Sequence, residues 1–320
     1  MSGARADLEA HRRPMRDKVV SAASAVQLVA DGDHVAIGGT NYSRTPMALV
    51  FALLRGKAKG LTVSRPLSCF EAELLLVTGT ASTLMTSWVG IGHGWGLARV
   101  VRHHVERGLA EYQEWSHLAM AMRYRAGAMG VPFLPTHTML GSDLALDTGA
   151  RTVECPYTGT TLLAVPALHP DVTFVHVHRA DRYGNAQIDG YPFLDVDMVH
   201  AARRVVLSAE RIVEPEELRQ APRETLIPHF AVDAVVHAPF GCYPHECYGE
   251  YEADADHVAE YMRAVRGEGG ASAGELACDG ARRYVAEHVL AHEDFGGFVT
   301  SVEPARRDSL RERARELMPR

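Results

Sequence analysis

The sequence predicts an α/β fold, and three observations carry that expectation. Short apolar runs at residues 35–37, 61–63 and 83–87 read as buried strands, bounded by turn residues such as Asp31-Gly32-Asp33 and Gly38-Gly39. Segments with apolar residues at helical spacing alternate with these runs. The connections between them are short, as they are where strands and helices alternate along an α/β chain. With 320 residues, 47% hydrophobic, 23% charged and 28 glycines, the composition is that of a well-cored globule rather than a disordered or disulfide-stapled chain.

Taken in order, residues 19–29 have helical spacing and lead through Asp31-Gly32-Asp33 into the first strand. Gly38-Gly39-Thr40-Asn41-Tyr42-Ser43-Arg44 follows as a loop. Thr45 is placed to cap a helix that has Pro46 at its first position and runs to about Leu54. Residues 95–105 read as a further helix. Ser116 caps another, on which Leu118, Met122, Ala126 and Met129 share a face expected in the core, before Gly130 and Pro132 end it. Residues 132–143 are too proline-rich for a helix and too apolar for a linker, and are expected as an ordered, partly buried loop. Residues 171–178 alternate as a strand, 181–185 turn, and 186–188 return as a hairpin. The alternation resumes at 199–202, 205–207 and 231–237. Beyond Glu250 the chain is charged and alanine-rich. Leu310, Ala314, Leu317 and Met318 mark a thin apolar stripe on a terminal helix, packed on the body or docking a partner.

Charge and cysteines narrow the classes. Lys and Arg total 33 against 40 Asp and Glu, a net charge of -7, so no basic surplus exists for a nucleic acid backbone. No segment approaches the roughly 20 apolar residues of a membrane span, and residues 1–18 lack the apolar stretch of a signal peptide. Cys69, Cys155, Cys242, Cys247 and Cys278 show no paired spacing. Reduced thiols in a soluble, cytoplasmic protein are the expectation.

The Gly38 to Arg44 loop lies where open α/β sheets bind ligands, between the carboxyl end of a strand and a helix N-terminus, where backbone amides suit a carboxylate, a thioester oxygen or a phosphate. A tight turn that needs glycine explains the loop equally, and the two readings are compatible. Neither Gly-x-Gly-x-x-Gly nor a P-loop is present, which argues against a nucleotide cofactor. His176 and His178 face one side of a strand, and His245 lies between Cys242 and Cys247. Without a His-Glu-x-x-His or paired Cys-x-x-Cys, however, no metal is expected. The Gly-x-Ser-x-Gly elbow of serine hydrolases is absent. Glu111, Glu114 and His117 gather near a helix start, where acids favour the helix dipole, and His117 is a candidate accessory acid or base.

The run Asp33-His34-Val35-Ala36-Ile37-Gly38-Gly39, Arg44-x-Pro46, Pro132-Phe133-Leu134-Pro135 and Gly141-Ser142 resembles the alpha (A) subunits of class I coenzyme A transferases. Asp195-Val196-Asp197, the stretch from Val232 to Val236, Ala238-Pro239-Phe240-Gly241 and Pro244-x-x-Cys247-Tyr248-Gly249 strengthen the resemblance, which spans residues 17–261. It implies an open, mostly parallel sheet with helices on both faces as one domain, residues 1–261, followed by a helical extension, 262–320. It also implies a partner, the beta (B) subunit of a heterodimer or heterotetramer, with an acyl-CoA and a carboxylic acid as substrates and no cofactor.

In the mechanism this implies, a glutamate of the partner attacks the thioester and carries CoA as a glutamyl thioester. Nothing in this chain reads Glu-Asn-Gly, the partner's motif, and Glu268 between two glycines is only a superficial match. The nucleophile is therefore expected on the partner. Gly38, Gly39, Thr40, Asn41, Ser43 and Arg44 are expected to wall the acid pocket, with Arg44 placed to pair a substrate carboxylate. Related subunits that hydrolyse a ring-opened steroid thioester carry a glutamate where this chain has His117, which disfavours that activity here. Another acyl-CoA hydrolase, a decarboxylase or a non-catalytic ligand-binding relative of the same fold stays open.

Overall fold

The computed structural model describes residues 13–91, 96–266 and 273–318. Its centre is a nine-stranded sheet. The strands are β1 (His34–Ile37), β2 (Leu61–Ser64), β3 (Ala81–Thr86), β4 (Glu111–Glu114), β5 (Val172–Asp181), β6 (Ala186–Gln187), β7 (Arg204–Val213), β8 (Thr225–Ile227) and β9 (Ala234–His237). Seven run parallel, in the order β4-β3-β2-β1-β5-β7-β9. The chain thus winds outward from β1 to β4, crosses back, and winds outward again from β5 to β9. β1 and β5 diverge at a topological switch point.

Along β5 one edge pairs β7 throughout, while the other pairs β1 at residues 172–174 and β6 at 179–180. The turn that folds β6 back is made by Asp181, whose carboxylate accepts from the Tyr183 and Asn185 amides and from Asn185 Nδ2. β8 adds antiparallel to β6.

The principal helices are α1 (Met47–Arg55), α2 (Phe70–Val77), α3 (Arg99–Glu106), α4 (His117–Met129), α5 (Asp195–Ala201), α6 (Ala255–Ala264), α7 (Ala273–Tyr284), α8 (Phe295–Ser301) and α9 (Pro304–Leu317). They cover both faces of the sheet. Val35 and Ile37 join the apolar cluster of α1 and α2, while Ala36, between them, faces the cluster of α4, as the two-residue period of a strand requires. Among the described residues four α-helices follow residue 254, with a π-helical turn at Val285–Leu290, and Cys278, Tyr284, Phe298 and Leu310 belong to the same core cluster as β1 and α1. Among the described residues no helix is long and apolar enough to cross a membrane.

Five local expectations need correction. The helix expected at 19–29 shrinks to Ala22–Ala25 and a 3-10 turn, because Val19 and Val20 extend and bridge β9 at Val235. Pro46, not Thr45, sits at the N-cap of α1, since the Thr45 hydroxyl is drawn inward to Asn41, Arg65 and His245. α4 turns only part of the expected face to the core: Ala126 is buried and Met122 packs against the core beside the buried Ala119, Met120, Tyr124 and Gly127, whereas Leu118 and Met129 are exposed. The approach is close on this side, for a Cβ on Gly127 would lie 2.0 Å from the Leu168 carbonyl oxygen. Phe133–Thr136, expected within a loop, is an edge strand of a separate three-stranded antiparallel sheet, the position in which a strand tolerates Pro135. On α9 only Leu310 and Ala314 of the expected stripe are buried. The part of the 95–105 helix before Gly96 and the Glu268 match lie outside the described residues.

Leu310→Ala is therefore expected to cost about 2–5 kcal/mol of stability in urea unfolding, as deletion of a fully buried leucine does. Leu317→Ala, on the solvent side of the same helix, should stay within about 0.5 kcal/mol of the parent.

Candidate functional site

The Gly38 to Arg44 loop singled out from sequence leaves β1 at the switch point. Two glycines carry the chain out of β1 for different reasons. A Cβ on Gly38 would lie 2.8 Å from the Asp195 carboxylate and 3.0 Å from the Phe174 carbonyl, so close packing excludes it. Gly39 has φ +69°, and a Cβ there would lie 2.3 Å from the Ser43 carbonyl. Thr40 and Ser43 then exchange backbone hydrogen bonds of 2.9 and 2.8 Å. The loop is a closed turn.

Its amides serve that turn. Gly38 N–H donates to Phe174 O, Asn41 N–H to Leu67 O, Arg44 N–H to Glu246 O and Gly39 N–H to Asp195 Oδ1 at 2.7 Å. The anion cradled here is therefore the chain's own Asp195. Arg44 completes the arrangement: it is 1% exposed, and its guanidinium donates to Asp195 Oδ2 at 2.5 Å, His176 O at 3.1 Å and Tyr191 O at 2.8 Å. With both terminal nitrogens committed, Arg44 pairs a carboxylate of the protein, not an open one. The Ser43 hydroxyl, half-buried, makes no hydrogen bond among the described residues.

Beyond this pair opens a cavity of about 550 Å³, bounded by Ser43, Arg44, Tyr191, Phe193, Glu246 and Tyr248, with Asp189 at its edge. Tyr191 and Phe193 stack with centroids 6.5 Å apart, and the Arg44 guanidinium lies 5.3 Å from the Phe193 ring centre. Asn41, Arg44 and Phe193 all have positive φ, 50°, 52° and 50°. Such backbone costs about 1–3 kcal/mol per residue and persists where surrounding contacts dictate it, commonly at binding sites. The aromatic wall escaped the sequence reading, which weighed charged and nucleophilic residues. Its signal was the string Gly190-Tyr191-Pro192-Phe193, two aromatics in a turn with no strand or helix to bury them.

Directly beneath Arg44 lies a second polar layer on β5 and β7. His176 bonds Ser208 Oγ through Nδ1 and Glu210 Oε1 through Nε2, both at 2.9 Å, and Glu210 also accepts from Tyr251 Oη and the amides of Phe240 and Gly241. Burial alone would lower the His176 pKa, but hydrogen bonds to Cys247 and Glu210 together with the Glu210 charge overcome it and raise it to about 9. His176, Cys242 and Cys247 offer ligand atoms all within 4.8 Å of one another, a juxtaposition the sequence did not reveal. Both ring nitrogens of His176 are nonetheless engaged. His245 stands apart, turned to Thr45 at 2.6 Å, and His178 bonds Tyr248 O.

His117 is exposed at the first turn of α4, with Nδ1 3.2 Å from Ser87 Oγ. Glu111 and Glu114 lie on the edge strand β4 rather than in a helix turn.

Two outcomes follow for stability. Asp195→Ala should cost about 3–5 kcal/mol in guanidinium unfolding because it strands a buried guanidinium, and a double-mutant cycle with Arg44→Met should show coupling above about 1 kcal/mol. Because His176 titrates higher in the folded than in the unfolded chain, its contribution is complete below about pH 6.5 and is lost as pH rises through about 9. Stability of the parent should fall across that window, and Glu210→Gln should flatten the slope.

Comparison with known proteins bears on this geometry. A coenzyme A transferase family model matches residues 19–238. The A subunit of glutaconate CoA-transferase from Acidaminococcus fermentans is 30% identical over 267 residues, 78% of this chain and 83% of that protein. The crystal structure of glutaconate coenzyme A-transferase from that organism superposes with a TM-score of 0.85 at 27% identity, covering 92% of this chain and 95% of that one. The A subunit of 3-oxoadipate CoA-transferase from Pseudomonas knackmussii is 35% identical over 232 residues, 71% of this chain and 81% of that protein. The cholesterol ring-cleaving hydrolase IpdA subunit of Rhodococcus jostii is 34% identical over 261 residues, 77% and 87%. Family model, sequence relatives and superposed fold agree on one assignment: the chain belongs to the coenzyme A transferase family, as a class I alpha (A) subunit.

Proposed function

We propose that the chain is the alpha half of a heteromeric CoA-transferase, which with a beta (B) subunit moves CoA between an acyl-CoA and a carboxylic acid. The observation that carries this reading is the cavity at the switch point, walled by Ser43, Arg44 and the Tyr191 to Phe193 segment. Of its two acidic residues, Asp189 is held bidentately by Arg179 at 2.8 and 2.6 Å, a partner that quenches it as a nucleophile. In this reading the attacking carboxylate is a glutamate of the partner, as the family resemblance implies. It adds to the thioester carbonyl, the C–S bond breaks, and CoA leaves as thiolate, so that the acyl group and the glutamate are joined as a mixed anhydride. The thiolate then attacks the glutamyl carbonyl, the C–O bond breaks, and the acyl group departs as carboxylate. The glutamyl thioester delivers CoA to the acceptor acid by the reverse steps.

Within this scheme Gly38, Gly39, Thr40 and Asn41 build the turn, and Arg44 positions it through Asp195. Ser43 donates its hydroxyl to the acid in the pocket, and the aromatic pair covers the apolar part of the acyl group. His117 stands as an accessory proton donor on α4. The assembly is a heterodimer or a heterotetramer of such pairs.

Co-expression with the partner should yield a complex that exchanges CoA between thioesters and acids, and borohydride should trap the adduct on the partner. Ser43→Ala should raise KM for the acid about tenfold, the worth of one hydrogen bond to a charged group, with kcat little changed. Glu246→Gln should leave the trapped adduct on the partner. An adduct on this chain, or full exchange by this chain alone, overturns the half-enzyme reading, and release of free CoA without an acceptor acid assigns hydrolysis instead.

A further inference from the structure

CoA thioesters and nucleotides bring several phosphate charges, whereas this chain carries a net charge of -7. Arg44 does not answer for them, because Asp195 neutralises it. The cations without a counter-charge lie elsewhere. Two adjoining grooves, of about 350 and 240 Å³ and sharing Leu97 and Arg99, run along α3 and the end of α6. Arg99, Arg102, His103, Arg107, Arg263 and Arg266 line them. Among the described residues Glu106 is the one acid in either lining, and it is paired with Arg102 at 2.6 Å. Among the described residues Arg99, Arg107, Arg263 and Arg266 take part in no ion pair.

The fold builds this arrangement. α3 buries Val100, Val101 and His104, which turns Arg99, Arg102 and His103 outward together at helical spacing. α7 approaches closely enough to close the groove because its second residue is glycine: a Cβ on Gly274 would lie 2.2 Å from His103 Nδ1. Gly96 likewise leaves room for Met262, whose Cε would lie 2.7 Å from a Cβ there. Guanidinium groups with free donor edges, converging on one concavity, match the geometry and charge of phosphate oxygens.

We propose that this groove is a binding site for a ligand bearing two or more phosphate groups. That chemistry is shared by the nucleotide end of a CoA thioester and by a free nucleoside diphosphate. The first source rests on the transferase reading; the second does not.

Calorimetric titration of the full chain with inorganic pyrophosphate and with ADP tests the site itself. Both should bind, binding should weaken steeply when salt is raised to about 0.3 M, and Arg99→Ala and Arg263→Ala should each weaken it about tenfold. Arg99→Lys should recover part of the loss. In the complex with the partner, the same variants distinguish the sources. A raised KM for the acyl-CoA, with KM for the acid and kcat unchanged, assigns the groove to CoA; unchanged KM values together with competition between ADP and pyrophosphate assign it to a free nucleotide. Absence of pyrophosphate and ADP binding, or binding that both alanine variants leave intact, overturns the site. A complex without exchange activity overturns the transferase reading alone, and the titration still decides the groove.

Discussion

Arg44 and Asp195 are 151 residues apart in sequence and meet where β1 and β5 diverge, each essentially sealed from solvent. Neither charge is tolerable alone at that depth, because the cost of removing an ion from water is recovered only by a partner with good geometry. The pair therefore couples three things that must be right together: the register of β1 against β5, the tight turn after β1, and the segment that leads into α5. Gly39 adds its amide to the same carboxylate. A ligand meeting this surface finds a preset wall rather than a cluster of loose donors.

The polar layer on β5 and β7 extends the same logic inward. Glu210 receives hydrogen bonds from an imidazole, a phenol and two amides, which holds its carboxylate below the usual range despite burial. Because the Arg44 guanidinium also donates to the carbonyl of His176, the two charged layers share one backbone segment. They form a continuous polar column at the switch point of the sheet. A column of this kind fixes strand register more stringently than hydrophobic contact does, since a slip of one residue would leave several buried charges unpaired.

How much of this was legible in the sequence depended on range. Elements defined by local punctuation came through: β1 between Asp33 and Gly38, the Asp181 to Asn185 turn, the Ser116 cap of α4 whose hydroxyl accepts from Ala119 N–H, and the helical region after residue 254. The face of α4 came through only in part: Ala126 and Met122 pack on the core, but Leu118 and Met129 do not, and Gly127 closely approaches the distant Leu168 carbonyl. The same limit applies to the site. The Gly38-Gly39 loop could be placed from its composition, but the occupant of its amides could not, for Asp195 reaches it only through the strand order. Arg44 looked available because its partner is invisible without topology. The nearness of His176 to Cys242 and Cys247 depended on the same crossing of segments.

Helix α9 reaches the site from the other side. Arg306 pairs with Asp254, Arg311 lies over the Phe240 ring, Glu252 N–H donates to Leu310 O, and Met318 packs against Gly249, next to Tyr248 of the cavity wall. In mechanical terms α9 is a strut braced against the rear of the binding wall. A tag, a graft or a docked protein on α9 would therefore sit against the segment that leads into the pocket wall.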